Sequence, residues 1–444
     1  MGSRWIALAC AVLAVAVPGV AVASQGGTEL VSVAGGGGPG GGVSQAPSMS
    51  ADGRFVAFES QAPDLVPGDV NGVSDVFVHD RLLGTTVRPA TTAATGFVTD
   101  GLFDPEISAD GRFLAFTSWA PDLVPGDTNG YADVFLMDLT TGAIERINVT
   151  GAGAEATGSI SWGADISADG RFVSFTSRAQ NLLPGRDANH KRGADAFVRD
   201  RLLGTTTLIS VATTGLNGHW PSYSRGISAD GRYVAFTTSA TDIMPDGLPV
   251  VGLYVRDLQT GVTTRESLTA TGDPADGNRA YELHTASLSR DGRYVTFESA
   301  SNQVVPGDTN DAMDVFVRDR LTGEVELVSV ASDGTQADGD SWGQRVSDGG
   351  RCVVFVSDAT TLVPGDTNGR SDLFARDRLT GTTTRLTGDA DGDTDAGGRD
   401  GGGESAVSLR PDGTEVAFTS EASNLTAPDT NAAADVFVTG TACS

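Results

Sequence analysis

The sequence predicts an all-β fold: a seven-bladed β-propeller with four-stranded blades. Three observations predict it. One unit is written seven times at intervals of 58 to 63 residues. Short β-branched and aromatic runs alternate with Gly, Asp, Asn and Pro clusters. One unit is split between the two ends of the chain. A regular period of this size marks units that cannot bury their own faces and must stack.

The clearest copy is Ser108-Ala109-Asp110-Gly111-Arg112-Phe113-Leu114-Ala115-Phe116-Thr117-Ser118. Its Asp-Gly turn recurs near 52, 110, 169, 230, 291 and 412, and as Gly349-Gly350 in the sixth unit. In the first unit, strand a covers Pro47 to Ala51. Asp52-Gly53 reads as a two-residue hairpin turn, with glycine supplying a positive φ. Strand b is Arg54 to Ser60, strand c Asp75 to Asp80, and strand d Thr85 to Ala90. Runs such as Phe55-Val56-Ala57-Phe58 and Val76-Phe77-Val78 are nearly all apolar, as in sheets covered on both faces.

The ends of the chain predict a closed ring. The seventh unit stops after strand c, at Ala434 to Thr439. An orphan strand d, residues 28–33, stands at the other end and matches Glu326 to Val330 of the fifth unit. It should complete the last blade and remove the open sheet edges that invite aggregation. An Arg opens strand b in six units (Arg54, Arg112, Arg171, Arg232, Arg293, Arg351). An Asp closes strand c in the same six (Asp80, Asp138, Asp200, Asp257, Asp319, Asp377). Antiparallel pairing would set each Arg beside its Asp on the lower rim.

Residues 1–23 read as an export signal, with Arg4, an apolar core from Ile6 to Val17, and Ala21-Val22-Ala23 before the cleavage point at Ser24. Pro18 and Gly19 break the apolar run, which argues against a retained membrane helix. The mature chain, 24–444, is expected to be one propeller. It would be secreted, periplasmic or cell-wall-associated, and not membrane-embedded. Cys352 and Cys443 either pair or stand as a buried thiol and a tail thiol, and spacing leaves both open. The formal charge of −27 repels phosphate backbones and excludes nucleic acid as a partner.

Ser-x-Asp-Gly-Arg-aromatic-Val-Ala-Phe, then Asp-Val-Phe-Val-x-Asp-x-x-Thr-Gly, resembles the TolB-type, WD-repeat-like propeller repeat. Arg410-Pro411-Asp412-Gly413 carries that family's Pro-Asp-Gly turn. The resemblance covers residues 28–439 and implies a secreted bacterial member. TolB is a periplasmic protein-interaction propeller, and related repeats sit in front of serine peptidases. This chain departs from TolB in having seven units rather than six. Neither TolB's extra N-terminal domain nor a following hydrolase domain is expected.

Two features carry candidate chemistry. The loop between strands b and c repeats Asp-x-Asn-x-x-x-Asp: Asp69/Asn71/Asp75, Asp127/Asn129/Asp133, Asp308/Asn310/Asp314, Asp366/Asn368/Asp372 and Asp429/Asn431/Asp435. The third unit separates Asp187 and Asn189 from Asp195, and the fourth keeps only Asp246. Alternating carboxylates and amides can wrap Ca²⁺, and all fifteen of these side chains are candidate ligands. The same residues also make Asx-turns, bonding their own backbone. Seven residues before each turn stand Gln45, Phe103, Trp162, Tyr223, His284, Trp342 and Ser405. Five of these are rings. They would form a crescent at the mouth of the channel, or pack between blades.

Enzyme signatures are poor: there is no Gly-x-Ser-x-Gly, His-x-x-x-His or Cys-x-x-Cys. The expectation is a non-catalytic binding or scaffold propeller, calcium-stabilised, whose upper face meets a protein or a cell-wall glycan. The alternative is a polysaccharide hydrolase or lyase that uses upper-face carboxylates.

Overall fold

The computed structural model describes residues 27–90, 100–184, 193–215, 218, 220–245, 251–275, 286–388, 407–426 and 429–443. The predicted signal, Asp187, Asn189, Asp246, His284 and Ser405 lie outside them. Seven four-stranded antiparallel sheets form the ring. Blade 1 is Ser44–Met49, Phe55–Ser60, Asp75–Asp80 and Thr85–Val87, hydrogen-bonded in that order. Blade 7 is completed by Glu29–Leu30, which pairs Glu29 with Val438 and Leu30 with Phe437. The N-terminal strand closes the ring, as the split unit predicts.

Strand a differs from expectation. It starts three residues early, at Ser44, and ends at Met49. Its register shifts between Gln45 and Ser48, and similarly between Phe103 and Glu106 and between Trp162 and Asp165. Such a bulge re-aims the residues before it. The Asp-Gly turn also differs. Pairing closes with Ser50 N–H donating to the Phe55 carbonyl (2.9 Å), which leaves four residues in the loop, not two. The Asp52 carboxylate accepts from the Ser50 hydroxyl and the Arg54 amide, and the Ser50 hydroxyl accepts from the Phe55 amide. That network explains why Ser, Asp and Gly recur together. Only the glycine takes a positive φ, +73° at Gly53.

The core lies in and between blades. Each of the seven carries a stacked aromatic pair across strands b and c, such as Phe58–Phe77 at 5.8 Å. The first residue of strand b packs under the turn of the next blade. A Cβ on Gly111 would lie 2.4 Å from the Phe55 ring, and one on Gly170 2.2 Å from the Phe113 ring.

The lower rim is an ionic belt. The six predicted Arg–Asp pairs form at 2.6–2.8 Å. In five of them the same arginine stacks on the following aromatic ring, as Arg54 on Phe55 at 4.7 Å. A second set crosses blades: Arg81 to Glu29, Arg201 to Glu145, Arg320 to Glu266 and Arg378 to Glu326. Cys352 and Cys443 form a disulfide, with Cα atoms 5.7 Å apart. It ties the tail after blade 7 to strand b of blade 6, and it is compatible with an oxidising, extracytoplasmic location. Among the described residues no helix is long and apolar enough to cross a membrane.

Candidate functional site

Strand direction gathers the variable loops on one face. Ser118, at the end of strand b, pairs with Leu102 at the start of strand a and with Asp133 at the start of strand c. The segments entering strand a and the b–c loops therefore share the upper face.

The last Asp of each predicted loop motif is the first residue of strand c, and it is fully buried in Asp75, Asp133, Asp314, Asp372 and Asp435. Its Oδ1 accepts a hydrogen bond from a side chain two positions beyond the strand d site facing the core ring. The donors are Asn148 to Asp133 (2.5 Å), Ser329 to Asp314 (2.5 Å), Thr387 to Asp372 (2.6 Å) and Ser32 to Asp435 (2.6 Å). Blade 3 repeats this with Ser210 and Asp195. In blade 1 that position is Ala90, and Asp75 Oδ1 is left without a partner.

Asn71, Asn129, Asn310, Asn368 and Asn431 are the candidate calcium ligands that offer amide oxygens, and in the structure each of those oxygens meets a backbone amide. Each Oδ1 accepts from the amide two residues on: Val73 to Asn71 (3.3 Å), Tyr131 to Asn129 (2.7 Å), Ala312 to Asn310 (3.3 Å), Arg370 to Asn368 (2.9 Å) and Ala433 to Asn431 (2.9 Å). The side that faces the acid is the NH₂ group, a donor that cannot ligate a cation. Asn71, Asn129, Asn368 and Asn431 donate it to Oδ2 of the strand c Asp at 2.7–3.0 Å. Asn310 donates it to the Ala337 carbonyl at 2.9 Å. The asparagines thus build Asx-turns, four of them docked on a buried carboxylate.

The charge on each acid pair depends on one strand d residue. In blade 1, Arg88 Nη1 sits 2.9 Å from Asp69 Oδ1 and 3.0 Å from Asp75 Oδ2. In blade 6, Arg385 Nη1 sits 3.1 Å from Asp366 Oδ1 and 3.5 Å from Asp372 Oδ2. In blade 2, Arg146 reaches Asp127, Asp133 and Glu155 at 3.8, 3.4 and 2.8 Å. These three acids have ligand oxygens within 4.8 Å of one another, a spacing that suits a metal, but the guanidinium already lies against all three. Blades 5 and 7 carry Leu327 and Leu30 in the register position of Arg146 and Arg385.

The electrostatics follow. Burial, with Asp308 and Asp340 adding to it, pushes Asp314 up to about 6. Burial and Asp429 do the same to Asp435. Burial raises Asp127 to about 6 as well, with Arg146 opposing. Glu155 goes the other way: against burial, the Thr128 amide and hydroxyl and Arg146 hold it down to about 2.

The predicted aromatics that are described, Phe103, Trp162, Tyr223 and Trp342, stand at one register, the second residue of strand a, and all are half-buried. Arg178 stacks on Trp162 at 5.4 Å and Arg225 on Tyr223 at 5.7 Å. Trp342 packs on the blade 6–7 core. Among the described residues the exposed rings are others, which sequence reasoning missed: Trp119 (47%), Tyr131 (37%) and Trp220 (57%). Trp119 follows strand b of blade 2, Tyr131 lies in the same b–c loop, and Trp220 precedes strand a of blade 4, so all three are on the upper face. Their signal is departure from the repeat: where blade 2 has Trp119, the other six have Gln61, Arg178, Ser239, Ala300, Asp358 and Glu421. On the opposite rim, the c–d turns expose Leu82, Leu83, Leu202, Leu203, Leu321 and Leu379.

Comparison with protein-family models finds no match, and comparison with curated proteins finds none. Among solved structures, oligogalacturonate lyase from Vibrio parahaemolyticus is 14% identical, with a TM-score of 0.53 over 89% of this chain and 90% of that one. An oligogalacturonate lyase in complex with manganese is 13% identical, with a TM-score of 0.53 over 94% and 98%. TolB from Acinetobacter baumannii is 15% identical over 78% of this chain, with a TM-score of 0.39, and this chain spans 63% of that TolB. At these identities the lyase likenesses show the propeller fold alone. The TolB match is too loose to argue from.

Proposed function

We propose that this chain is a non-catalytic, extracytoplasmic binding propeller whose upper face meets a cell-wall glycan or a protein. The observation that carries the reading is the placing of Trp119, Tyr131 and Trp220 on one face of blades 2 and 4, exposed to solvent. Large rigid rings cost little side-chain entropy to order and supply most of the contact energy in sugar and protein recognition. The repeated strand c acids of the same face support binding over chemistry. A hydrolase or lyase needs carboxylates that reach substrate, whereas the five strand c carboxylates are fully buried beneath their loops.

The test is affinity for purified cell-wall glycan fractions and for extracytoplasmic protein extracts, wild type against Trp119→Ala and Trp220→Ala. Each ring should be worth a 10- to 30-fold loss, about 1.5–2 kcal/mol, with no change in unfolding midpoint. Unchanged affinity in both variants would rule out this face as the contact surface. Turnover of any polysaccharide in the same incubations would instead establish the enzyme reading.

A further inference from the structure

The atoms that the arginine touches in blades 1 and 6 are Oδ1 of the loop Asp and Oδ2 of the strand c Asp. In blade 5 the same two atoms, Asp308 Oδ1 and Asp314 Oδ2, are buried and no contact to either meets full hydrogen-bonding geometry, with Asn310 acting on both acids only as a weak donor. Asp308 is 6% exposed and Asp314 is 0% exposed. Among the described residues no arginine or lysine pairs with either. Leu327 stands in the arginine's position, and its side chain joins the apolar cluster between blades 4 and 5. A second exchange accompanies the first. Gln336 occupies the bridge position of Glu155 and caps the loop through Thr309, as Glu155 caps it through Thr128 in blade 2. The site keeps two carboxylates and loses both the cation and the third acid. Two buried carboxylates that face each other without a counter-charge are costly to fold.

We propose that the b–c loop of blade 5 is a divalent-cation site, in which Asp308 Oδ1 and Asp314 Oδ2 ligate a hard cation standing where a guanidinium stands in blades 1, 2 and 6. Two carboxylates neutralise one dication. An all-oxygen donor set selects Ca²⁺, Mg²⁺ or Mn²⁺ over softer ions. Ca²⁺ is the favoured ion, because a short irregular loop with water in the remaining positions does not meet the octahedral demand of Mg²⁺. Blade 7 also has leucine, but both Asp435 oxygens are hydrogen-bonded, to Ser32 and to Asn431. The orphaned oxygens single out blade 5. The proposal is independent of what the upper face binds.

The test uses the mature chain, stripped with EDTA and titrated with CaCl₂, MgCl₂ and MnCl₂, read by calorimetry and by unfolding midpoint. Leu327→Arg copies the wiring of blades 1 and 6 and should remove one calcium equivalent. Asp308→Asn should do the same without adding bulk, and serves if the arginine variant misfolds. Arg385→Leu should add no equivalent in blade 6, where Thr387 and Asn368 occupy both Asp372 oxygens as Ser32 and Asn431 do in blade 7. Saturating calcium should raise the wild-type midpoint by about 2–5 °C, and Leu327→Arg should sit near the calcium-loaded value even in EDTA. A wild type that takes up no dication at about 10 mM, above the weakest affinities of extracellular calcium modules, overturns the proposal. So does an undiminished stoichiometry in the two blade 5 variants.

Discussion

At Gly111 the backbone φ is +71°, and an added Cβ would strike the Phe55 ring of the neighbouring blade at 2.4 Å. At Gly130 the φ is +69°, but no atom lies within 4 Å of that Cβ. The pair separates conformation from contact. Gly130→Ala should cost about 1–2 kcal/mol for the left-handed backbone alone. Gly111→Ala should cost about 2–4 kcal/mol, because the rings between blades must also shift. Equilibrium unfolding of the two variants measures the difference, and equal costs would remove the turn glycine from the blade interface. The rim pairs make a pH prediction. Arg293 holds Asp319 down to about 2, with the Leu321 and Thr322 amides helping against burial. A depressed folded pKa contributes stability that is fully present above the unfolded value near 4. It is lost as pH falls towards 2. The midpoint gap between wild type and Asp319→Asn should therefore be largest at pH 5–7 and close by about pH 2. A gap that stays constant with pH would mean that the pair acts through packing.

Among the elements, the disulfide and the closing strand act on the same blade. The Cys352–Cys443 bond closes a separation of 91 residues. On the chain-entropy account, a loop of that length restrains the unfolded state by about 4.5 kcal/mol. Cys443→Ala should lower stability by up to that amount under oxidising conditions and change nothing under reducing ones. Strands b and c, the ring closure and the lower-rim pairs were legible in the sequence, because each repeats with a period that seven copies make plain. The pairing of the cysteines was not, since it depends on a Cα separation that spacing does not give. Nor was the function of the Asp-Asn loops. Spacing does not show which end of an amide faces a carboxylate, and so Asn71, Asn129, Asn310, Asn368 and Asn431 were open both to the turn reading and to the ligand reading. The charge of each loop hangs on the residue opposite the core ring in strand d, Arg88, Arg146 or Arg385 in some blades and Leu327 or Leu30 in others. That residue lies 13 positions beyond the strand c Asp in each blade where both follow in sequence. The register between strands c and d makes it a neighbour, and no local motif announces it. Likewise the crescent of rings was legible as a position. The exposed rings stand outside that position, and their signal is a departure from the repeat rather than the repeat itself.

As a whole molecule, the propeller has two unlike rims. The lower one is braced by paired arginines and acids, with leucines exposed at the c–d turns. The upper one carries single-copy aromatics beside loops whose strand c carboxylates are sealed beneath them. Removing residues 24–33 would leave Asp435–Gly440 as an open edge, so that variant should self-associate, as size-exclusion chromatography would show. A monomer of unchanged stability would mean that the strand is dispensable for closure. The central claim, that the upper face is the binding face, is tested most directly by hydrogen-exchange mapping with and without a captured glycan or protein partner. The account predicts protection at the b–c loop of blade 2 and at the start of strand a in blades 2 to 4, around Trp119, Tyr131 and Trp220. Protection confined to the c–d turns, around Leu202, Leu203, Leu321 and Leu379, would contradict it and move the contact surface to the lower rim.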